Sequence, residues 1–513
     1  MKQATLATEF EQIKAEYKAA APSRHWRTRT GLGGRADSHL TAQQFWMLRE
    51  YSRDMDRNDC VVGQMVDRAI DNIIGDGLRV EAQTSDKVLN TELPQMFREW
   101  GNDPRQCCAR GLFTFGQQER LSLRHRFFDG DVFALPLESG AVQLVEGDRC
   151  LTPSNTSRNV VHGIFLDDYE RPQEFWFTKQ KRLDWRIQNV GDMQRYPAYD
   201  EAGEPQVFHV FDAKRVTQTR GVPVFKSVYD LLTMFEDVNL AKLVQAQVVS
   251  CIGLFIERDK DFKGATDATL GPRTTETDDD STTRTLEKMR PGMIVKGRKG
   301  EKPVSIQANV PNAEYFDHVR LLLRIIGANI GIPLSLVLLD TSDTTFHGYR
   351  GELNEARKGF RSNRNVNIQR FNCNVYRWKV SQWLKSGKLG EAAKRLAKNG
   401  ELFKHKWIGE GWPYVDPEKD AKADVVALSN MLESPRELHA KRGRDYEDVL
   451  DETIKDNTQA IKRAIVASQE ITKETGVTVT WRDVLRPLEG EMVLTEQQPG
   501  LLSEKPAKTG GAA

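Results

Sequence analysis

Between Pro311 and Lys385 a helical segment, a short apolar run, a polar loop and a very long helix follow one another, and no proline occurs from Leu334 to Trp412. Phe316, Val319, Leu322 and Ile326 recur at helical spacing and predict the buried face of the first helix. Gly327-Ala-Asn-Ile-Gly331-Ile-Pro333 breaks it, and Leu334 to Leu339 carries no charge. Asp340-Thr-Ser-Asp-Thr-Thr-Phe-His-Gly-Tyr349 is rich in short polar side chains that compete with the backbone, which predicts an irregular connection. Beyond it Leu353, Ala356, Phe360, Phe371, Val375 and Trp378 mark one buried face of a long helix. A catalytic loop would bring a nucleophile with its base, or clustered carboxylates. This one has neither and reads as architectural.

The 513 residues suffice for about three compact units at roughly 150 residues each. Lys and Arg number 74 against 73 Asp and Glu, so no global field would hold the chain on nucleic acid or a membrane, and polyanion binding must be local. Met1 to Tyr17 is polar and lacks the apolar core of a signal peptide. The apolar stretches 248–256 and 325–339 are short of the ~20 residues that span a bilayer, so no membrane segment is expected. Six scattered cysteines without a CxxC pair are expected to be buried free thiols.

Along the chain a polar helix and an arm with Arg24, His25, Trp26, Arg27 and Arg29 come first. Helical regions at 41–74, around 93–100 and at 114–127 follow. Asp129-Gly130-Asp131 predicts a tight hairpin turn feeding strands 132–137 and 142–145, and further strands are expected at 162–166, 174–178 and 207–211. Val228, Leu231, Leu232 and Phe235 open a helix reaching about Cys251. A polar, acidic insertion with Asp278, Asp279 and Asp280 returns through strand-like 292–295 and 304–306 to the Pro311 helix. Asp416 before Pro417, Ser434 before Pro435 and Asp445 before Tyr446 are capped helix starts, and the tail from Pro487 has no packing pattern.

P-loop, HExxH, G-x-S-x-G and G-x-G-x-x-G motifs are all missing, and the nine histidines lack ligand spacing. Carboxylates pair at Asp129/Asp131, Glu146/Asp148 and Asp278 to Asp280, but a turn glycine and a Thr-rich loop account for the first and last of these. No metal or other cofactor is therefore expected. Arg350, Arg357, Arg361 and Arg364 form one stripe at i, i+7, i+11 and i+14, and Arg320 and Arg324 lie a turn apart on the preceding helix. Each set is either a solvated face or a contact with phosphate or an acidic neighbour.

The order of segments resembles the lambda-type portal proteins of tailed bacteriophages, over about Leu48 to Leu450. The resemblance is carried by Tyr51-Ser-Arg-Asp-Met-Asp-Arg-Asn58, Ile73-Ile-Gly-Asp-Gly-Leu78, Arg126-Phe-Phe-Asp-Gly-Asp-Val-Phe133 and Leu144-Val-Glu-Gly-Asp-Arg149. Arg220-Gly-Val-Pro223, Ile330-Gly-Ile-Pro333 with Asp340, and Val415-Asp-Pro-Glu-Lys419 continue it. It implies an α+β portal fold of wing, stem, clip and crown, closing as a ring, usually a dodecamer, around a central channel. The corresponding segments are an N-terminal helix and arm (1–44), wing (45–221), stem helix (222–257), clip (258–310), second stem helix (311–333), channel loop (334–349), long helix (350–386), C-terminal wing and crown helices (387–486) and a disordered tail (487–513).

The implied function is that of a head-tail connector at one capsid vertex, a non-enzymatic virion component assembled in the host cytoplasm. Double-stranded DNA would pass through it without sequence reading. Terminase large subunit, major capsid protein and head-completion or adaptor proteins would be its partners, with no membrane involved. Thr341, Ser342, Asp343, Thr344, Thr345 and His347 are the expected channel lining, and Asp278, Asp279 and Asp280 the expected clip face toward the terminase. The alternatives are a metal-dependent nuclease using Glu146 and Asp148 or the Asp278 to Asp280 cluster, and another phage head-tail adaptor.

Overall fold

Strand β2 (Asp131–Pro136) is buried on both faces, and that fixes how the first unit is layered. Successive side chains of a strand point to opposite sides. Val132 and Ala134 accordingly enter one apolar core and Phe133 and Leu135 another. The computed structural model describes residues 34–153, 156, 159–179, 190–251, 255–258, 273–277, 283–287, 301–304, 313–342 and 344–485. They fall into two units, Met1–Ala421 and Lys422–Ala513.

In the first unit β2 lies between β3 (Val142–Glu146) and β8 (Phe208–Phe211), antiparallel to both. A second antiparallel sheet runs in the order β4 (Val160–Val161), β5 (Ile164–Leu166), β6 (Pro172–Thr178) and β7 (Met193–Pro197). The sheets share the smaller core, where the ring of Phe133 meets Phe175 at 5.6 Å and Phe177 at 5.0 Å. The larger core is helical, formed by α1 (Ala42–Asn58), α2 (Val62–Ile73), α3 (Lys87–Asn102) and α4 (Phe115–Phe128) with the long helix. Strands β1 (Arg79–Ala82) and His405–Ile408 pair although 323 to 329 residues apart, and close it, a sheet the sequence reading did not anticipate. Phe97, Phe115, Phe371 and Trp407 interlock there, with Phe115 stacked on Phe371 at 5.5 Å.

Helices α5 (Tyr229–Cys251) and α6 (Ala313–Ile330) pack together, and Gly331 and Ile332 turn the chain into a short helix, α7 (Leu334–Leu338). Between α5 and α6, Phe255–Arg258 pairs with Glu301–Val304 and Arg273–Thr277 with Thr283–Glu287. The expected strand at 292–295 and Asp278, Asp279 and Asp280 lie outside the described residues. In the second unit Ser434 and Asp445 cap helices Pro435–Lys441 and Tyr446–Thr475, at the starts expected from the sequence.

Four local expectations are corrected. Asp129-Gly130-Asp131 is not a hairpin turn: it joins α4 to β2, and the hairpin closes at 137–141. Phe316 is half-exposed at 51 %, so the buried face of α6 begins at Val319. Thr345 caps the long helix, whose first segment α8 is Phe346–Asn367, so His347 sits in a helical turn and the loop between helices is shorter than 334–349. Of the cysteines, Cys107, Cys108 and Cys150 are buried as expected, but Cys60 is exposed.

The long helix also contains a π turn at Ile368–Asn372 before α9 (Cys373–Lys385). The extra residue turns Asn367 and Asn372 inward, where apolar side chains would ordinarily stand. Ser122 donates to Asn367 Oδ1 at 3.1 Å, Asn372 Nδ2 donates to Glu119 Oε1, and Leu78 N–H donates to Glu119 Oε2 at 3.0 Å. Burial pushes the Glu119 carboxyl up to about 8 despite these bonds. A carboxyl raised above its ordinary 4.5 leaves its contribution intact below that pH and loses it as pH rises through about 8. Glu119→Gln, which cannot ionise, is expected to gain about 3–4 kcal/mol on the parent between pH 5 and pH 8.5, read from urea midpoints. Parallel pH profiles for the two chains would refute this.

Candidate functional site

Arg49 and Arg53 stand one helical turn apart on α1 and reach the beginning of β2. Arg49 donates to the Asp129 carbonyl at 2.9 Å and to Asp131 Oδ1 at 2.8 Å. Arg53 grips Asp129 with two N–H groups at 2.7 and 3.0 Å, and also donates to Asp148 at 2.7 Å and Glu146 at 3.1 Å. From the other side Arg220 makes five hydrogen bonds, two to Asp131 and one each to the carbonyls of Gly147, Cys150 and His162. That uses every donor a guanidinium has. His209 donates Nε2–H to Asp131 Oδ2 at 3.0 Å while stacked between Phe133 and Phe211.

These three arginines and four carboxylates therefore share one largely buried cluster. Burial alone would raise both aspartates; the bonds from His125 and Arg53 outweigh it and hold Asp129 down to about 2. The charges of Arg220 and Arg49 hold Asp131 well below the usual carboxylate range. Burial lowers His125, but its bond to Asp129 at 2.7 Å outweighs that and raises it, whereas burial brings His209 down to about 4, so His209 is neutral at pH 7. Two glycine contacts let the segments meet. Gly130, at φ +90°, lies against Gly221, where a Cβ would come 1.9 Å from the Gly130 carbonyl oxygen, and a Cβ on Gly147 would be 2.2 Å from Asp131 Oδ1.

The residues converging here belong to four separate motifs that carried the resemblance: Arg53, Asp129 with Asp131, Glu146 with Asp148, and Arg220 with Gly221. Their ion pairs tie α1 and Arg220 to the start of β2. Glu146 and Asp148, the pair a nuclease would need, are both held by Arg53, which would have to be displaced before either could ligate a metal.

Three arginines of the stripe on the long helix are likewise turned onto the chain. Arg350 pairs with Asp420, Arg357 donates to the Pro413 carbonyl at 3.1 Å, and Arg364 donates to the carbonyls of Ile73, Asn72 and Glu410. Trp412 lies under Arg364 at 4.9 Å and Arg357 at 5.6 Å, with exposed Arg361 at the edge at 6.0 Å. Three of the four stripe members are therefore not a solvated face: Arg350 meets an acidic neighbour, Asp420, while Arg364 binds C-terminal carbonyls of α2 and Glu410, and Arg357 gives one N–H to Pro413. Arg324 is exposed and Arg320 half-buried, with Arg320 near enough to lower the Asp340 carboxyl further.

The polar loop offers a different surface. Thr341, Ser342, Thr345 and His347 are exposed and Thr344 half-buried; Asp343 lies outside the described residues. Ser342 N–H donates to Asp340 Oδ1 at 2.9 Å, Thr344 Oγ1 donates to the Thr341 carbonyl at 3.2 Å, and Thr345 Oγ1 accepts from Gly348 N–H at 3.2 Å. Part of the hydrogen-bonding capacity of the loop shapes its own backbone, and it presents small polar groups outward. Among the described residues no cluster of His, Cys, Asp and Glu is arranged to hold a metal, and no helix is long and apolar enough to cross a membrane.

Comparison with known proteins follows the same residues. The chain is 22 % identical to the probable portal protein of Halomonas phage phiHAP-1 over 464 residues, 86 % of each chain. It is also 22 % identical to portal protein B of Escherichia phage lambda over 462 residues, 79 % of this chain and 82 % of that one. Among solved structures, a chain from the neck of a native gene transfer agent particle computed with C12 symmetry aligns with a TM-score of 0.41 at 13 % identity, covering 81 % of this chain and 96 % of the other. Residues 23–364 match the family described as phage portal protein, lambda family, and the chain belongs to that family.

Proposed function

We propose that this chain closes into a ring, twelve subunits in the expected form, at one vertex of a phage capsid, and that double-stranded DNA is packaged and ejected through its centre. The observation that carries this reading is the family match over residues 23–364, which takes in the four motifs of the charged cluster and the polar loop. The physical character of the loop supports it. A channel must let DNA slide, and each phosphate tightly neutralised adds salt-dependent affinity that would act as a brake. Small hydroxyls at Thr341, Ser342, Thr344 and Thr345 can touch the backbone transiently without reading bases. The arginines that could have gripped phosphate are largely committed within the chain. In this reading residues 258–310 form the clip that docks the terminase, with Asp278, Asp279 and Asp280 on that face, and capsid and head-completion proteins meet the ring elsewhere.

The test is complementation of a phage that lacks this chain. Without it, shells are expected to contain no genome; with the parent chain supplied in trans, packaging returns. Ser342→Glu, which adds one negative charge per subunit to the loop, is expected to assemble normally yet package DNA ~10-fold less well, through repulsion of phosphate in a confined site. Full genomes in the absence of the chain would overturn the proposal, and undiminished packaging by Ser342→Glu would remove the loop from the channel.

A further inference from the structure

Beside the polar loop the first unit has an open cleft of about 500 Å³, walled by Phe346, Tyr349, Leu353, Arg357, Pro413 and Tyr414 among others. Seven residues before its first wall residue on the long helix, the chain does something costly. Leu339 ends α7 with φ 53° and ψ 34°, a left-handed backbone that β-carbon sterics disfavour for leucine. Leu339 is 69 % exposed and Leu338 42 % exposed, and neither residue lines the cleft of its own chain. Asp340 follows, fully exposed, and the Ser342 N–H bond holds its carboxyl low and ionised. A strained turn thus holds two leucines and a carboxylate out in water beside a cleft that Thr341 and Thr344 help to line, that has the Arg357 guanidinium at its wall, and that none of these three residues lines.

A ring built from one kind of subunit requires two different surfaces that complement each other, because its contacts run head to tail. We propose that Leu338-Leu339-Asp340 of each subunit seats in this cleft of the next subunit, the leucines against Phe346, Tyr349 and Tyr414 and the carboxylate toward Arg357. The complementarity is both apolar and charged: the donor segment carries the acid, and Arg357 with Arg361 one turn on gives the cleft side a positive edge. The inference rests on the ring reading and deepens it, since it ties the loop of each subunit to the body of its neighbour. The loops would then shift together rather than singly.

Leu339→Gly tests it directly. Glycine accepts the left-handed backbone, so the isolated chain should fold at least as well as the parent. The yield of rings at equal chain concentration is nevertheless expected to fall at least tenfold. The second arm pairs Leu339→Cys with Tyr414→Cys in one chain and a short bis-thiol linker, with the parent chain and each single variant as controls for the native thiols. A ladder of covalently joined subunits specific to the double variant is expected. Rings that form normally with Leu339→Gly, or a double variant that links only within single subunits because another segment of the same chain fills the cleft, would overturn the inference and leave the ring intact as a reading. A parent chain that forms no ring under any condition would overturn both.

Discussion

Asp131→Ala is expected to cost about 3–5 kcal/mol of stability at pH 7, measured as the urea midpoint of the purified chain. The size follows from what is left behind. Arg220 and Arg49 are almost completely buried and both bond this one carboxylate, as does the ring of His209. Removing it leaves two buried guanidinium groups bonded to carbonyls but without the carboxylate they share, and an uncompensated buried charge is costly. Glu146→Ala removes a carboxylate of the same cluster that is 54 % exposed, and should cost under about 1 kcal/mol because water already screens that contact. The acid limb gives an independent check. Asp129 and Asp131 are held below their ordinary 3.8, so their contributions are present above that pH; the Asp129 share is lost as pH falls through about 2 and the Asp131 share further into acid. The variant should lack the Asp131 share of that loss. Equal stability of parent and Asp131→Ala would show that the cluster does not hold the sheets to α1.

The cluster also marks the limit of what could be read from sequence. Each motif was visible, but Arg53 lies 76 residues before Asp129 and Arg220 89 residues after Asp131, and no local pattern says that they meet. Asp129-Gly130-Asp131 has the composition of a turn, and the turn reading failed because buried arginines, not solvent, satisfy its carboxylates. The π turn escaped for a related reason. Its inward residues, Asn367 and Asn372, are polar and leave no mark in an apolar periodicity, whereas Leu353, Ala356, Phe360, Phe371 and Val375 are buried as their spacing required. Helix starts were legible wherever a cap is a short-range event, as at Asp445 and Ser434. The arginine stripe was legible as a stripe, but its partners around Trp412 lie 46 to 56 residues further on.

Assembly is the second large effect. Met234, Leu240, Leu243 and Val244 on α5 and Leu321 and Ile325 on α6 are between 44 and 64 % exposed in the single chain, more apolar surface than two neighbouring helices ordinarily leave to water. In a closed ring these faces would be covered by the adjacent subunit, and burying them would favour the ring over the free chain. The covering need not be symmetric: a head-to-tail seam repeats the same pair of unlike surfaces at every step until it closes.

The most direct test of the portal account is the mass of the purified particle by native mass spectrometry, with negative-stain images of the same sample. Twelve copies of the 58.3 kDa chain would give a particle of about 700 kDa with a central hole. A stable two-fold dimer of about 117 kDa, without a channel, would contradict it.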